Sequence, residues 1–281
     1  EMFKQLGSRF VVSVYYDRHE VETEIPEPHG NEFSDHFQQK YYEKLSQEHM
    51  FQNDIYISLL VRKANPSEPP FTRLKNTFFR VDNEAQMLAE LSNAVSMFKE
   101  YLQDANPRQL GVYHKDNVMY SEAVNFLGYM VNLERAEIPL YPTEIRNYLG
   151  FVRKVFTPDG TIKFYHPSGE VTAGAIYSLP TPNYPEHTDH TMLDEFLKVD
   201  HPLLISQTFM MMDRRKSINM SIQRQNQLKN AKDKSESQIE AINQAVDDLA
   251  SGRILNGIYS LNVLVTAKNG AAFKDAMQKT S

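Results

Sequence analysis

Cysteine and tryptophan are both missing from these 281 residues. Without cysteine there is no disulfide framework, no thiolate metal site and no cysteine nucleophile. Long apolar runs are missing too. The best candidate, Ala123 to Leu133, is 11 uncharged residues interrupted by Asn125 and Asn132, whereas a bilayer span needs about 20. No signal peptide is visible. The chain opens on Glu1 and reads as a fragment of something longer, so a membrane segment in a missing leader would go unseen.

The phosphate-binding glycine patterns are absent as well. A P-loop needs Gly-Lys-Ser/Thr because its backbone N–H groups and lysine cradle the phosphates. No Gly-Lys dipeptide occurs, and Lys279-Thr280 is preceded by Gln278. There is no Gly-x-Gly, no Gly-x-Ser-x-Gly and no His-Glu-x-x-His. The commonest nucleotide, hydrolase and metalloprotease sites are therefore not expected here.

What is present is a globular composition, 41% hydrophobic and 23% charged, which argues against wholesale disorder. The net charge of −6 argues against a nucleic-acid binder as a whole. Periodicity predicts an α+β chain with mixed or antiparallel sheets packed with helices. Strands are expected at Phe10–Tyr16, His19–Ile25 and Ile55–Val61. Between them Phe33, Phe37, Tyr41 and Leu45 recur as a helical stripe. A clear helix follows from Asn83 to Leu102, with Met87, Leu88, Leu91, Ala94, Val95, Phe98 and Leu102 inward, and another from Met119 to Leu133. Ile138-Pro139-Leu140-Tyr141-Pro142 interrupts regular structure and suggests two subdomains, 1–137 and 138–281.

The second half begins with a predicted meander, Phe151–Phe156, Thr161–Tyr165 and Val171–Leu179. Its turns, Pro158-Asp159-Gly160 and Pro167-Ser168-Gly169, place proline early and glycine late as β-turn sterics favour. A short helix (His190–Lys198), a strand (Leu203–Met211), a long helical segment (Asp213–Ala250), a strand (Gly257–Thr266) and a helix near Gly270 complete the reading. Strand, helix and strand together suggest split βαβ elements. The long segment carries two apolar stripes either side of the polar run Lys232–Gln238, which fits one long helix or a hairpin of two.

Three clusters could carry chemistry. His187 and His190 are spaced for two imidazoles on one helical face, but Pro185 points to an irregular turn in which Asp189 or Thr188 caps the next helix. Asp194-Glu195 and Asp247-Asp248 are adjacent pairs, and neighbouring helical positions point apart, so neither forms an acid–base dyad. The third is basic. Arg214, Arg215, Lys216, Arg224, Lys229, Lys232 and Lys234 oppose only Asp233, a local charge of +6, while Asp17 to Glu48 carries −6. Both could be plain solvated faces. The functional alternatives for the basic run are anionic headgroups, a nucleic-acid backbone or a complementary protein surface.

One stretch adds a resemblance. Tyr184-Pro185-Glu186-His187-Thr188, Met192-Leu193-Asp194, Ser206-Gln207-Thr208-Phe209, Ser251-Gly252-Arg253 and Leu261 to Val265 follow one another in an order that resembles the N-terminal domain of the type IV secretion and conjugation ATPases, the CagE/TrbE/VirB family. Asn256-Gly257-Ile258-Tyr259-Ser260 departs from the family's usual entry to the last strand. The resemblance implies a motor domain beyond Ser281, where ATP and Mg would bind, and a non-catalytic front half with no cofactor of its own. It implies docking at the cytoplasmic face of the bacterial inner membrane, through channel subunits and other copies of the chain. The expected interaction surface is the basic run Arg214 to Lys234. The alternative is a nucleic-acid-binding module using the same helix.

Overall fold

A computed structural model describes residues 2–21, 30, 32–45, 50–62, 80–178, 188–189, 191–230, 236–268 and 270–280. In chain order the elements are β1 (Phe10–Val21), α1 (Glu32–Leu45), β2 (Met50–Val61), α2 (Arg80–Tyr101), β3 (Val112–Lys115), β4 (Val118–Ser121), α3 (Glu122–Asn132), β5 (Arg153–Phe156), β6 (Ile162–Tyr165), β7 (Val171–Ser178), β8 (Leu203–Met211), α4 (Arg214–Asn230), α5 (Glu236–Ala250), β9 (Gly257–Ala267) and α6 (Gly270–Thr280). This is the expected α+β class. Seven strands form one antiparallel sheet in the order β2-β1-β8-β9-β7-β6-β5, and β3 and β4 form a separate hairpin.

Residues group into two compact units. The first comprises 1–14, 57–107 and 206–261, and the second 15–56, 108–205 and 262–281. The core of the first is Leu6, Phe10, Val12, Ala94, Phe98 and Met211. Leu91, Ala94 and Phe98 of α2, and Leu102 just past its end, recur every three or four positions and face this cluster. Leu88, expected on the same stripe, is instead 67% exposed.

In the second unit the meander turns where expected, with Gly160 and Gly169 at φ 81° and 89°, a conformation only glycine takes freely. Antiparallel pairing of Ala173 with Ala267 and of Ala175 with Val265 joins β7 to β9. There Phe273 of α6 packs on Ala175 and Ala267. A second cluster, Val152, Ile162 and Phe164, receives Leu133 from the end of α3.

Three expectations change. The separate strands Phe10–Tyr16 and His19–Ile25 are one strand as far as Val21. The expected gap between them is Asp17-Arg18. Both are buried with partners: the Arg18 Nε donates to the Val199 carbonyl at 2.7 Å and its Nη1 to Asn53 Oδ1 at 3.0 Å. The helix expected from Met119 starts at Glu122, because Met119 belongs to β4. The β3–β4 hairpin turns at Asp116-Asn117, with φ of 51° and 62°. Consecutive left-handed residues match the twist of a two-residue hairpin, and Asp and Asn tolerate them. The expected His190–Lys198 helix is a turn ending in one 3₁₀ turn, Phe196–Lys198, with His190 outside the described residues.

The long segment resolves into two helices packed on one another, α4 and α5, with 231–235 outside the described residues. The chain leaves β8 and re-enters β9 alongside: Met212 N donates to the Asn256 carbonyl at 3.0 Å, and Thr266 N to the Pro202 carbonyl at 3.3 Å. The two strands are therefore adjacent and antiparallel, with a helical hairpin inserted between them.

Candidate interaction surface

The helix α4 opens at Asp213, whose carboxylate accepts the Lys216 N–H at 3.1 Å. This is an N-cap. It offsets an unusual first turn, since Arg214, Arg215 and Lys216 put three cations at the positive end of the helix dipole. Arg214, Arg215, Lys216, Arg224 and Lys229 are all exposed. Among the described residues none of the five pairs with a carboxylate. Lys232 and Lys234 fall outside the described residues. The sequence named this surface, but not how it divides. At 100° per residue, Arg215, Ile222 and Lys229 line one flank and Lys216, Met220 and Arg224 the other. Ile222 and Met220 are 40% and 49% exposed between their cations.

The inner face of the hairpin holds Ser217, Leu228 and Leu249. The seam is bridged at its exposed edge by Gln225 Nε2 donating to Asn243 Oδ1. Ser251-Gly252-Arg253 turns out to be the stop of α5. The Ser251 hydroxyl donates to the Asp247 carbonyl at 2.8 Å, Gly252 adopts φ 74°, and the Arg253 Nε donates to Asp248 Oδ1 at 2.7 Å. A left-handed glycine just past the last turn is a common helix C-cap. At its base the hairpin encloses a cavity of about 220 Å³ lined by Leu6, Asp213, Leu249 and Asn256. The Ser217 hydroxyl, 1% exposed, lines it without a hydrogen-bond partner among the described residues. An orphaned buried hydroxyl costs about 1–3 kcal/mol. Ser217→Ala is accordingly expected to stabilise the chain by about 1 kcal/mol. A urea midpoint that moved down instead would show that the hydroxyl is satisfied.

A second polar cluster was invisible in the sequence because its members lie far apart in the chain. Asp17, 1% exposed, accepts the Tyr129 hydroxyl at 2.8 Å and Arg135 Nη2 at 2.7 Å, and lies 3.3 Å from His19 Nδ1. Ligand atoms of Asp17, His19 and Asp54 fall within 4.8 Å of one another. These are metal-ligand residue types, but the Arg135 guanidinium, 3.3 Å from His19 Nδ1, already supplies a cation to both Asp17 and His19. Burial pushes the Asp17 carboxyl above the ordinary range, against the pull of the Tyr129 hydroxyl and the Arg135 charge. Removing Arg135 leaves the burial opposed chiefly by the Tyr129 hydroxyl, and pushes the carboxyl further up. Arg135→Gln should cost about 2 kcal/mol at pH 8, less than a fully buried pair because Arg135 is half-exposed. A carboxyl whose folded pKa is raised loses stability as pH climbs past its unfolded value. The deficit should therefore shrink toward pH 4, and urea melts of both proteins at the two pH values check the sign.

Beside this cluster is a cleft of about 420 Å³ lined by Tyr56, Tyr113, Phe126 and Tyr129. Tyr56 stacks on Phe126 at 4.1 Å, and Tyr15 meets the same ring edge-on at 5.4 Å. The cleft's charges are satisfied internally, Arg108 by Glu122 and Glu137 by Lys115, each at 2.5 Å. It therefore presents no free charge to a ligand, unlike α4. His187 and His190 lie outside the described residues.

Comparison with known proteins matches this arrangement to a family. The sequence model described as the CagE, TrbE, VirB family, component of type IV transporter system, matches residues 108–281. That described as the type IV secretion system ATPase VirB4/TrbE, N-terminal domain, matches residues 1–68. The type IV secretion system protein virB4 of Bartonella henselae is 30% identical over 249 residues, covering 86% of this chain and 31% of that protein. Its counterpart in Brucella melitensis biotype 1 is 24% identical over 254 residues, 85% of this chain and 30% of that protein. Protein virB4 of Agrobacterium fabrum is 22% identical over 275 residues, 96% and 34%. The chain thus spans about a third of the length of these curated relatives. With both segments matched, the chain belongs to the CagE/TrbE/VirB family of type IV transporter components.

Proposed function

We propose that this chain is a non-catalytic docking and assembly domain that seats the motor of a type IV secretion ATPase on its channel at the cytoplasmic face of the inner membrane. The observation that carries this reading is α4: five exposed cations without a carboxylate partner among the described residues, in a chain with no Gly-Lys phosphate loop. Among the described residues no helix is long and apolar enough to cross a membrane. In this reading ATP and Mg are bound by a part of the protein outside these 281 residues. Lys216 and Met220 border a shallow groove with Asp213, Arg215, Asn219 and Gln223, and Met220 there offers an apolar contact framed by charge. Burying Met220 would supply affinity, and Lys216 and Arg224 on its flank orientation.

The test is capture of inner-membrane channel subunits by the chain, with Lys216→Glu/Arg224→Glu as the variant. The expected result is about tenfold weaker capture by the variant, together with no ATP turnover by the chain alone. Unchanged capture would remove α4 from the docking surface, and measurable turnover would overturn the non-catalytic role.

A further inference from the structure

The buried Asp17 belongs to a group of metal-ligand side chains built by two neighbouring strands. Asp17 and His19 are two apart on β1, so both project from one face of the sheet. Asp54 comes from β2 alongside, and one ligand atom from each of the three lies within 4.8 Å of the others. Asp17 Oδ2 is 3.3 Å from His19 Nδ1. Two ligands about 2.1 Å from a tetrahedral ion are themselves about 3.4 Å apart, so this pair is already spaced for a common ion. The Tyr129 hydroxyl donates to the other Asp17 oxygen at 2.8 Å, the kind of outer hydrogen bond that orients a ligating carboxylate. A cation also marks the place. Arg135 Nη2 lies 2.7 Å from Asp17 Oδ2 and 3.3 Å from His19 Nδ1. A guanidinium only donates, so its contact with the imidazole is a hydrogen bond when Nδ1 carries the lone pair that a metal would use.

The charges of this group do not balance. Asp17 and Asp54 bring two carboxylates, and Arg135 answers only the first. Asp54 Oδ1 accepts the Gln52 amide at 2.7 Å, and among the described residues no cation pairs with Asp54. A doubly charged ion would meet both carboxylates at once. Arg135 is 53% exposed, a side chain that can swing into water, whereas Asp17 is held in the interior. We propose that Asp17, His19 and Asp54 form a site for a divalent transition-metal ion of the zinc class, which binds by displacing Arg135. One imidazole nitrogen and two carboxylate oxygens suit zinc, while a hard ion such as magnesium prefers oxygen ligands alone. Three protein ligands leave a fourth position to water. Arg135 competes for the same atoms and keeps the affinity low, so the site fills when the ion is abundant. The guanidinium also lines the aromatic cleft, and its release gives that cleft the free charge it otherwise lacks. Nothing here draws on α4, so the site goes beyond the docking reading and is tested apart from it.

The experiment is calorimetric titration of the untagged 281-residue chain with zinc chloride, and separately with magnesium chloride, at about pH 7, where a ligating imidazole is neutral. Wild type is expected to take up about one zinc per chain and no magnesium. His19→Ala and Asp54→Asn should each bind zinc at least about tenfold more weakly. Arg135→Gln should bind it at least about tenfold more tightly, a gain that misfolding cannot give. Because Arg135→Gln is itself destabilised, thermal melts supply a second reading. Zinc should raise the midpoint of Arg135→Gln more than that of wild type, and leave that of His19→Ala where it was. Four results would overturn the proposal. They are no saturable zinc uptake by wild type, uptake unchanged in both His19→Ala and Asp54→Asn, Arg135→Gln binding no more tightly than wild type, or magnesium bound as well as zinc. The second would put the ion on exposed histidines such as His114, and the last would reduce the site to plain charge attraction.

Discussion

Asn132→Ala is expected to lower the unfolding free energy by about 4 kcal/mol, a large loss for a single side chain. Asn132 is 0% exposed. Its amide donates to the carbonyls of Gly128 and Leu149, both at 2.8 Å, and its oxygen accepts from the N–H groups of Phe151 and Val152, both at 3.1 Å. Lys154 Nζ reaches the same oxygen at 3.3 Å. Alanine removes all of these at once and leaves the backbone groups of 149, 151 and 152 without their side-chain partner. Each buried orphan costs about 1–3 kcal/mol, and the network is lost as a unit. Asn132→Asp should not rescue it, because the two donors become lone pairs aimed at carbonyl oxygens. Urea unfolding followed by circular dichroism measures the loss. A fall below about 1 kcal/mol would mean that the segment 149–152 is held by something else.

Gly257→Val should cost about 3–4 kcal/mol through a different cause, overpacking between neighbouring strands. A Cβ at Gly257 would lie 2.4 Å from Phe209 Cζ and 2.7 Å from the Met210 carbonyl oxygen. The phenyl ring can swing aside. The carbonyl can retreat only if β8 moves, and Phe209 also abuts Phe3, with ring centroids 6.2 Å apart. Gly257→Ala should therefore show a smaller loss in the same direction, and valine, with two more methyl groups, a larger one. Equal stability of the glycine and alanine proteins in thermal melts would contradict this close approach.

These two positions show where sequence reading reached and where it stopped. The meander was legible because Pro158-Asp159-Gly160 and Pro167-Ser168-Gly169 carry their turn geometry locally. β8 was legible because Leu203, Leu204 and Ile205 form a buried apolar run. Asn125 and Asn132 were read only as blemishes in an apolar stretch. They lie seven apart on α3, and Asn125 accepts the Ile138 N–H at 2.8 Å as Asn132 accepts those of Phe151 and Val152. Both are staples for the chain that follows, and nothing local announces a partner so far downstream. Asp17 was illegible for the same reason, being separated from Tyr129 by 112 positions. The basic run was evident from composition. Which flank of α4 lies beside α5 depended on the Gln225–Asn243 seam, which no periodicity reveals. The β3–β4 hairpin could have been found, since Asp116-Asn117 is a recognised turn pair.

The departure point of the helical hairpin has one more consequence. Met212 and Asn256 are hydrogen-bonded to each other where the chain leaves and rejoins the sheet. The strands on either side therefore keep their register whatever the 43 residues between them do. Whole turns can be added to or removed from both helices together, and their outer charges rewritten, without disturbing a single rung of β8 or β9. The outer charges of the hairpin can thus change to suit a partner while the strands that hold it keep their register.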